Sequence, residues 1–488
     1  MRDPLPSVPD YPSLDHAAAR RIVVGVLVTM LLAALDQVMV ATALPSIASD
    51  LADLDNLPWV VTANLLSATA ATPLYGKLSD IHGRRRMMLI AIGIYAVGSL
   101  ACALATTMLS LIVGRAVQGL GGGGLMPLVQ TIIGDVASPR ERPRYQSYTS
   151  STFIVSTVGG PLLGGFIAEH LHWSWIFWVN LPLCGVAYLL THRVLQRMPR
   201  HDRPHRLDLL GAALMVSAAS ALMLALTWGG RRLPWLSTPI LALLAISAVL
   251  WALFAWRMMA AKEPFIPLAV LRDGAMRVGT GAAFFGVGVA IALTIVLPLY
   301  AQVALGLSIS GSAATIIALQ GAATTTSIVG GRLLVRFTHY KRVPLVGLSC
   351  AMAALAPLAI APTEIPPAAA LALIALTGLG IGPMFPFTVV VVQNAVALHQ
   401  LGIATGTMNF FRALGSTFIV TGFGAIVLAG MPMIRGTAAG AGLAGADGGS
   451  AFSWVFAAAI ACLGVALACI LALTERPLRG AGMPRSKS

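Results

Sequence analysis

The sequence predicts an all-α protein that crosses a lipid bilayer many times. Of its 488 residues, 57% are hydrophobic and only 10% are charged, whereas a soluble domain carries about 25% charged residues. Apolar runs of about 20 residues, long enough to cross ~30 Å of hydrocarbon as a helix, recur along nearly the whole chain. These runs lack the alternating pattern of barrel strands, so helices are the remaining way to satisfy the backbone inside lipid.

Fourteen runs are predicted as spans, numbered 1 to 14 along the chain. Their centres lie near Met30, Ser67, Val97, Gln118, Val158, Ala187, Ser217, Leu243, Val289, Ile317, Met352, Thr377, Phe418 and Ala461. Residues 1–21 are polar and show no cleavable signal peptide, so they are expected to form a cytoplasmic N-terminal tail. Residues 475–488 are expected to form a cytoplasmic C-terminal tail.

The net charge of +14 is distributed unevenly between the two sides of the predicted membrane. When the spans alternate from a cytoplasmic N-terminus, most of the 32 Lys and Arg residues fall on one side. Only Arg231, Arg232 and Arg435 fall on the other side. This asymmetry follows the positive-inside rule and places both termini in the cytoplasm. The basic character therefore reflects membrane topology, and we expect no nucleic-acid partner.

Internal repeats divide the chain. The stretch "GLGGGGLMP" at 119–127 matches "GLGIGPMFP" at 378–386, and "GKL" at 76–78 matches "GRL" at 331–333. The simplest architecture has two six-helix bundles, at 22–198 and 276–474. An inserted helix pair at 207–260, between cytoplasmic linkers at 199–206 and 261–275, separates them. Two-bundle repeats are typical of secondary transporters, whose site lies near the midplane between the halves.

Four motifs carry a resemblance to a known family. They are "LDQVMVATALP" (35–45), "GKLSDIHGRRR" (76–86), "LIVGRAVQGLGGG" (111–123) and "GGPLLGG" (159–165). In this order, the motifs resemble those of the 14-span drug:proton antiporters of the major facilitator superfamily, over essentially residues 20–475. Two departures are Val38, where a hydroxyl residue is common, and Val335, which replaces aspartate in the second copy of the loop motif.

The resemblance implies a major facilitator fold and proton-coupled export of hydrophobic drugs or other amphiphilic toxic compounds by alternating access. It places the protein in the cytoplasmic (inner) membrane of a bacterium, where its partners are the lipid bilayer, protons and small lipophilic substrates. In a Gram-negative cell, a periplasmic adaptor and an outer-membrane channel would be further partners. The alternative is a proton-coupled transporter dedicated to one metabolite or siderophore.

Proton coupling is predicted at Asp36 and Arg115. A carboxylate deep in a span costs at least about 2.5 kcal/mol, so it is a functional candidate by default. At 1.5 Å per residue, Asp36 in span 1 and Arg115 in span 4 reach matching depths. We expect Asp36 to bind and release the proton while Arg115 adjusts its charge state. The alternative is a static ion pair, although the counterpart of Arg115 in span 12 is the apolar Ile374.

A cytoplasmic gate is predicted in the loop between spans 2 and 3, at Gly76, Asp80, Gly83 and Arg84. The glycines permit close approach and a tight turn. In the family, the carboxylate equivalent to Asp80 meets basic residues and the positive end of a helix in the other half. The alternative is a solvated charged loop that acts only as a topology signal.

Glycine and proline residues interrupt two further spans. Span 5 carries the antiporter motif residues Gly160, Pro161, Gly164 and Gly165. They serve either helix packing alone or a bendable, sealed half that prevents proton leak. The run 121–124 in span 4 is predicted to be a flexible segment, and it lacks the Lys-Ser/Thr of a phosphate-binding loop.

Polar side chains at bilayer depth are candidates for the wall of a substrate cavity: Asn64, Gln118, Gln320, Gln393, Asn409 and Arg412. Bridging between helices is the alternative role for several of them. All nine histidines fall in loops or at span ends and no catalytic dyad is evident within the spans, so a membrane-embedded enzyme is a remote alternative. We expect no cofactor or metal.

Overall fold

The computed structural model describes residues 16–138, 141–197, 207–230, 232–336, 339–430 and 448–475. These residues are almost entirely helical. The helices are α1 (His16–Leu51), α2 (Leu57–His82), α3 (Arg84–Ala103), α4 (Met108–Val136), α5 (Arg142–His170), α6 (Trp175–Val194), α7 (Leu209–Trp228), α8 (Thr238–Ala260), α9 (Leu268–Arg272), α10 (Gly274–Ala282), α11 (Gly288–Val303), α12 (Ile309–Arg336), α13 (Arg342–Ile360), α14 (Pro367–Ile381), α15 (Met384–Ala395), α16 (Leu401–Gly430) and α17 (Gly448–Leu471). Most of the predicted tails and the linker 199–206 lie outside the described residues.

The helices correspond in order to the predicted spans. Spans 1–8 are α1–α8, and span 9 consists of α10 and α11, joined by the π-helical turn Ala283–Val287. Spans 10 and 11 are α12 and α13, span 12 is α14 and α15, and the last two spans are α16 and α17. Helix α1 begins at His16, inside the predicted tail.

Not every helix is strongly apolar. Within the described ranges, twelve helical segments are both long enough and apolar enough to cross a membrane. Helices α2 and α4, with 26 and 29 residues, are long enough but are not among those twelve. Glycines and polar side chains, which lower their hydropathy, face neighbouring helices. The count of fourteen crossings stays a prediction.

The repeated glycine motif packs in the same way on α4 and α14. On α4, Gly119 and Gly123 lie against α2, and Gly121 lies against α3. On α14, Gly378 lies against α12 and Gly380 lies against α13. A side chain at any of these positions would overlap the backbone of the neighbouring helix. The run 121–124 is therefore a packing surface within a continuous helix, and its flexibility stays a prediction.

Two groups of helices form separate hydrophobic cores. Helices α1 to α6 pack around two neighbouring clusters of buried side chains, and α10 to α17 pack around a large cluster of their own. Across the gap, α2 and α4 contact α16, and α5 contacts α12 and α15. These two groups are called the first and second halves.

The helix pair α7–α8 lies outside both halves. Helix α7 packs on α8 and runs along the line where α2 meets α16, here called the α2–α16 seam. Toward the C-terminal end of α7, Trp228 meets Trp59 of α2 edge-on with ring centroids 5.6 Å apart. Thr421 of α16 donates a hydrogen bond to the carbonyl oxygen of Leu226, at 3.4 Å. The inserted pair thus contacts both halves at once.

One end of the bundle carries the cationic loop between α2 and α3, and it is called the basic end. The loop turns at Gly83, whose φ of 85° lies in the left-handed region that favours glycine. Arg84 to Arg86 follow directly at the start of α3. This end is the one predicted to face the cytoplasm.

Candidate functional site

Asp36 and Arg115 meet inside the first half. The Nη1 atom of Arg115 lies 2.7 Å from Oδ2 of Asp36, and the two side chains are 1% and 3% exposed. The guanidinium is fixed further by a hydrogen bond from its Nε to the carbonyl oxygen of Val60, at 3.1 Å. The structure therefore brings together the two residues that the sequence placed at the same depth.

Two amides complete the surroundings of the carboxylate. Gln118, one turn after Arg115, donates from Nε2 to Asp36 Oδ1 at 3.2 Å and to Ser99 Oγ at 2.9 Å. Asn180 of α6 donates from Nδ2 to the same Oδ1 at 2.5 Å. Gln118 is fully buried in this cluster, so it does not line a cavity in this conformation.

Sequence reasoning missed Asn180 and Ser99. Asn180 stands as a lone amide in the apolar run of α6, which is a signal that could have been used. Nothing in the sequence, however, shows that α6 faces Asp36. Only the helix packing reveals this neighbour.

The cluster is sealed from solvent and sits in apolar surroundings. Phe177 lies with its ring centroid 5.9 Å from Cζ of Arg115, and Tyr95 is buried beside the pair. Breaking a buried ion pair by removing one partner typically costs about 3–5 kcal/mol, because the other charge is left uncompensated. Loss of either Asp36 or Arg115 would therefore leave the other charge uncompensated in this interior.

The antiporter motif of α5 packs directly beside this cluster. A Cβ atom added at Gly160 would lie 2.6 Å from Val38, and one at Gly164 would lie 2.9 Å from the Cα of Met39. A Cβ at Gly165 would meet nothing within 4 Å, and Pro161 is exposed within the continuous helix. Gly160 and Gly164 thus set the distance between α5 and the segment of α1 that follows Asp36.

Asp80 forms a contact between the two halves at the basic end. Its oxygens accept hydrogen bonds from the backbone N–H groups of Gly402, at 3.0 Å, and Ile403, at 2.8 Å. Helix α16 begins at Leu401, so these are N–H groups of its first turn, where the helix dipole is positive. Arg84 forms an ion pair with Asp80, and its Nε lies 2.7 Å from Oδ2 of Asp135 on α4.

Close backbone packing surrounds this contact. A Cβ atom added at Gly76 would lie 2.5 Å from the carbonyl oxygen of Gly402. On the next turn of α16, a Cβ at Gly406 would lie 3.1 Å from the carbonyl oxygen of Thr72. Sequence reasoning found Gly76 but missed Gly402 and Gly406. Their spacing of four residues in "LGIATG" is the small-residue pattern that permits tight helix contact.

A second layer of polar contacts lies further from the basic end. Gln130 of α4 accepts at its side-chain Oε1 from Nδ2 of Asn409, at 2.7 Å. Its backbone oxygen accepts from Nε2 of Gln393, at 2.9 Å. Gln393 and Asn409 were predicted to line a cavity, but both are buried here because they hold the two halves together. Between α5 and α12, the hydroxyl oxygens of Ser150 and Ser327 lie 2.7 Å apart.

The remaining cavity candidates are half-buried. Asn64 donates to the backbone oxygen of Arg115 at 3.2 Å, and Gln320 donates to the hydroxyl of Thr294 at 3.1 Å. The Nη2 atom of Arg412 lies 2.9 Å from Sδ of Met126, across the gap between the halves. The six candidates therefore do not line one common cavity in this conformation. Gln118 belongs to the Asp36 cluster, Gln393 and Asn409 belong to the contact between the halves, and the other three are half-buried.

Comparisons with solved structures show which fold this is. The human organic anion transporter MFSD10 superposes with a TM-score of 0.64 at 16% identity, over 91% of this chain and 99% of that one. A bacterial homologue of ferroportin in its outward-facing state gives a TM-score of 0.62 at 13% identity, over 93% and 98% of the two chains. At these identities, the likeness concerns the fold alone.

Sequence comparisons agree and are more specific. The multidrug transporter protein MdtP of Bacillus subtilis is 31% identical over 83% of this chain and 75% of its own length. Multidrug resistance protein 3 of the same organism is 29% identical over 86% of this chain and 81% of its own length. A model of the Major Facilitator Superfamily matches residues 26–420. The chain therefore belongs to the major facilitator superfamily and is a membrane transporter, not an enzyme.

Proposed function

We propose that this chain is a proton-driven antiporter that exports hydrophobic drugs or other amphiphilic toxic compounds. The observation that carries the proposal is the sealed cluster around Asp36, a carboxylate that an arginine and two amides hold in the interior of the first half. The similarity to multidrug transporters supports export of lipophilic compounds. We place the protein in a bacterial cytoplasmic membrane, with fourteen spans and both termini in the cytoplasm.

In the proposed cycle, the conformation described here is the outward-facing one. Its basic end is closed by Asp80 on the first turn of α16 and by the polar layer around Gln130. A proton that reaches Asp36 neutralises the carboxylate and removes its attraction for Arg115. The guanidinium of Arg115, now without its counter-ion, forms hydrogen bonds with other groups. This rearrangement changes the packing of α4 against α1 and favours opening of the basic end. Release of the proton into the cytoplasm restores the ion pair.

The test separates coupling from substrate binding. Asp36→Asn and wild type are reconstituted into proteoliposomes and compared in uphill transport under an imposed pH gradient and in substrate exchange without one. The substrate is the compound that wild type transports best among neutral, anionic and cationic fluorescent lipophiles. We expect Asp36→Asn to lose uphill transport and to keep exchange.

Asp50→Asn is the matched control, because Asp50 lies on the same helix but is about half exposed near its far end. This variant should keep both activities. Uphill transport at the wild-type rate by Asp36→Asn would exclude Asp36 as the coupling group. If wild type responded to only one compound of the panel, a transporter dedicated to one substrate would replace the multidrug proposal.

A further inference from the structure

Arg412 lies at the boundary between the two halves, just beyond the contacts that close the basic end. It stands about three turns into α16, and its neighbour Met126 stands about three turns from the end of α4. The contact between Asn409 and Gln130 lies one turn nearer the basic end. The guanidinium of Arg412 therefore lies on the side of the Asn409–Gln130 contact that faces away from the basic end, and it is half-buried there.

Within the described ranges, no carboxylate forms an ion pair with Arg412. Among the described residues, the only hydrogen bond of its guanidinium is to the sulfur of Met126, which is a weak acceptor. The interior carboxylate, Asp36, is already paired with Arg115. Glu364, in the connection between α13 and α14, is exposed at the opposite end from the basic loop.

An unpaired guanidinium at this depth is unusual. Charged side chains within membrane spans are expensive and normally pair with another charge or face a water-filled cavity. The planar guanidinium offers parallel N–H donors that match a carboxylate in a bidentate arrangement. Met126, which is flexible and polarisable, suits an apolar group of variable shape next to that carboxylate.

We propose that Arg412 is the anchor of an anion subsite between the halves, and that the preferred substrates are amphiphiles with one carboxylate on an apolar body. In the conformation described here, the carboxylate of such a compound approaches from the side opposite the basic end and takes the place of the missing counter-ion. The inference deepens the proposed function and relies on it only for the direction of transport.

Binding to the purified full-length protein tests this subsite without any need for transport. The probes are 1-naphthylacetate and its neutral analogue 1-naphthylacetamide, which share one apolar body and differ in charge. Calorimetric titration at neutral pH should show about tenfold or tighter binding of the carboxylate, as expected for a charge-assisted hydrogen bond. In Arg412→Gln the two probes should bind equally, whereas Arg412→Lys should keep part of the preference.

Two control variants make the outcome specific. Arg257→Gln removes an arginine that is paired with Asp208 at the surface of the helix pair, and it should keep the full preference. Asp50→Asn removes a carboxylate that is about half exposed near the far end of α1, and it should also keep the preference. Because the titration applies no proton gradient, a failure of coupling and a failure of the subsite can be told apart. Equal binding of both probes to wild type, no detectable binding of the carboxylate, or a full preference in Arg412→Gln would each overturn the proposal.

Discussion

The closed basic end depends on a close approach of two backbones, and one added methyl group should open it. Gly402 lies in the first turn of α16, and its N–H group donates a hydrogen bond to Asp80. A Cβ atom at this position would lie 2.5 Å from Oδ1 of Asp80 and 2.7 Å from Nη1 of Arg84, and it would overlap the backbone oxygen of Gly76. Gly402→Ala therefore cannot be accommodated unless α2 and α16 move apart.

The free-energy cost of Gly402→Ala depends on which atoms the added methyl group overlaps. Side chains can give way, but the oxygen of Gly76 belongs to a helix backbone that is fixed by its own hydrogen bonds. Overpacking of this kind typically costs about 1–3 kcal/mol. If the cost falls only on the closed conformation, the ratio of open to closed molecules should rise about 5- to 150-fold. The gain in helix propensity from Gly to Ala is common to both conformations and cancels.

A reporter on the other side of the molecule can measure this ratio. Ser327 of α12 is fully buried against α5 in the closed conformation, so a cysteine at this position should react with a charged maleimide only after opening. The measurement is made in purified protein whose five native cysteines have been replaced. Gly422→Ala, on the same helix, is the matched control because a Cβ atom there meets nothing within 4 Å. Equal labelling rates in Gly402→Ala and Gly422→Ala would refute the reasoning.

Three further predictions concern other parts of the molecule. Gly160→Val should lower the thermal unfolding temperature because its side chain collides with α1, whereas Gly165→Val, with open space around it, should leave that temperature nearly unchanged. Asn180→Leu should reduce proton-driven transport more than substrate exchange, since it removes a hydrogen bond to Asp36; equal loss of both would contradict a role in coupling. Burial tends to raise the pKa of Glu475, but hydrogen bonds from the α12–α13 connection lower it below 4.5 in the folded chain. Glu475→Gln should therefore lower the unfolding temperature at neutral pH, and the difference from wild type should vanish as the pH falls through that lowered pKa.

The fold could be predicted from the sequence because a membrane leaves few choices. Backbone groups in lipid must be satisfied within each segment, so the apolar runs could only be helices. The glycine repeats at 119–127 and 378–386 then fixed which helices are equivalent. Helices α2 and α4 were recognised as apolar runs although they are not among the twelve most clearly apolar segments, because their glycines and polar groups pack against neighbouring helices.

The candidate site was easiest to predict where a charge made a residue conspicuous. Asp36, Arg115 and Asp80 are costly inside or beside a membrane, and helix rise alone places the first two at one depth. The amides were harder to assign, because Gln118, Gln393 and other polar side chains can bridge helices or line a cavity with the same composition. Gly402 carries no charge at all, so only the positions of α2 and α16 reveal its importance.

The inserted helix pair has a consequence for how a lipophilic compound reaches the interior. Because α7 runs along the α2–α16 seam, that flank of the molecule is covered from the bilayer, and Trp59 and Trp228 pack against each other there. Within the described residues, α7 and α8 are the only long helices outside the two halves. Neither of them covers the contact between α5 and α12. A compound dissolved in the membrane is therefore kept from the α2–α16 seam by α7, whereas on the opposite flank it reaches the contact between α5 and α12 directly. We expect such compounds to enter sideways between α5 and α12, so that the lipids beside these two helices influence uptake more than those around α7.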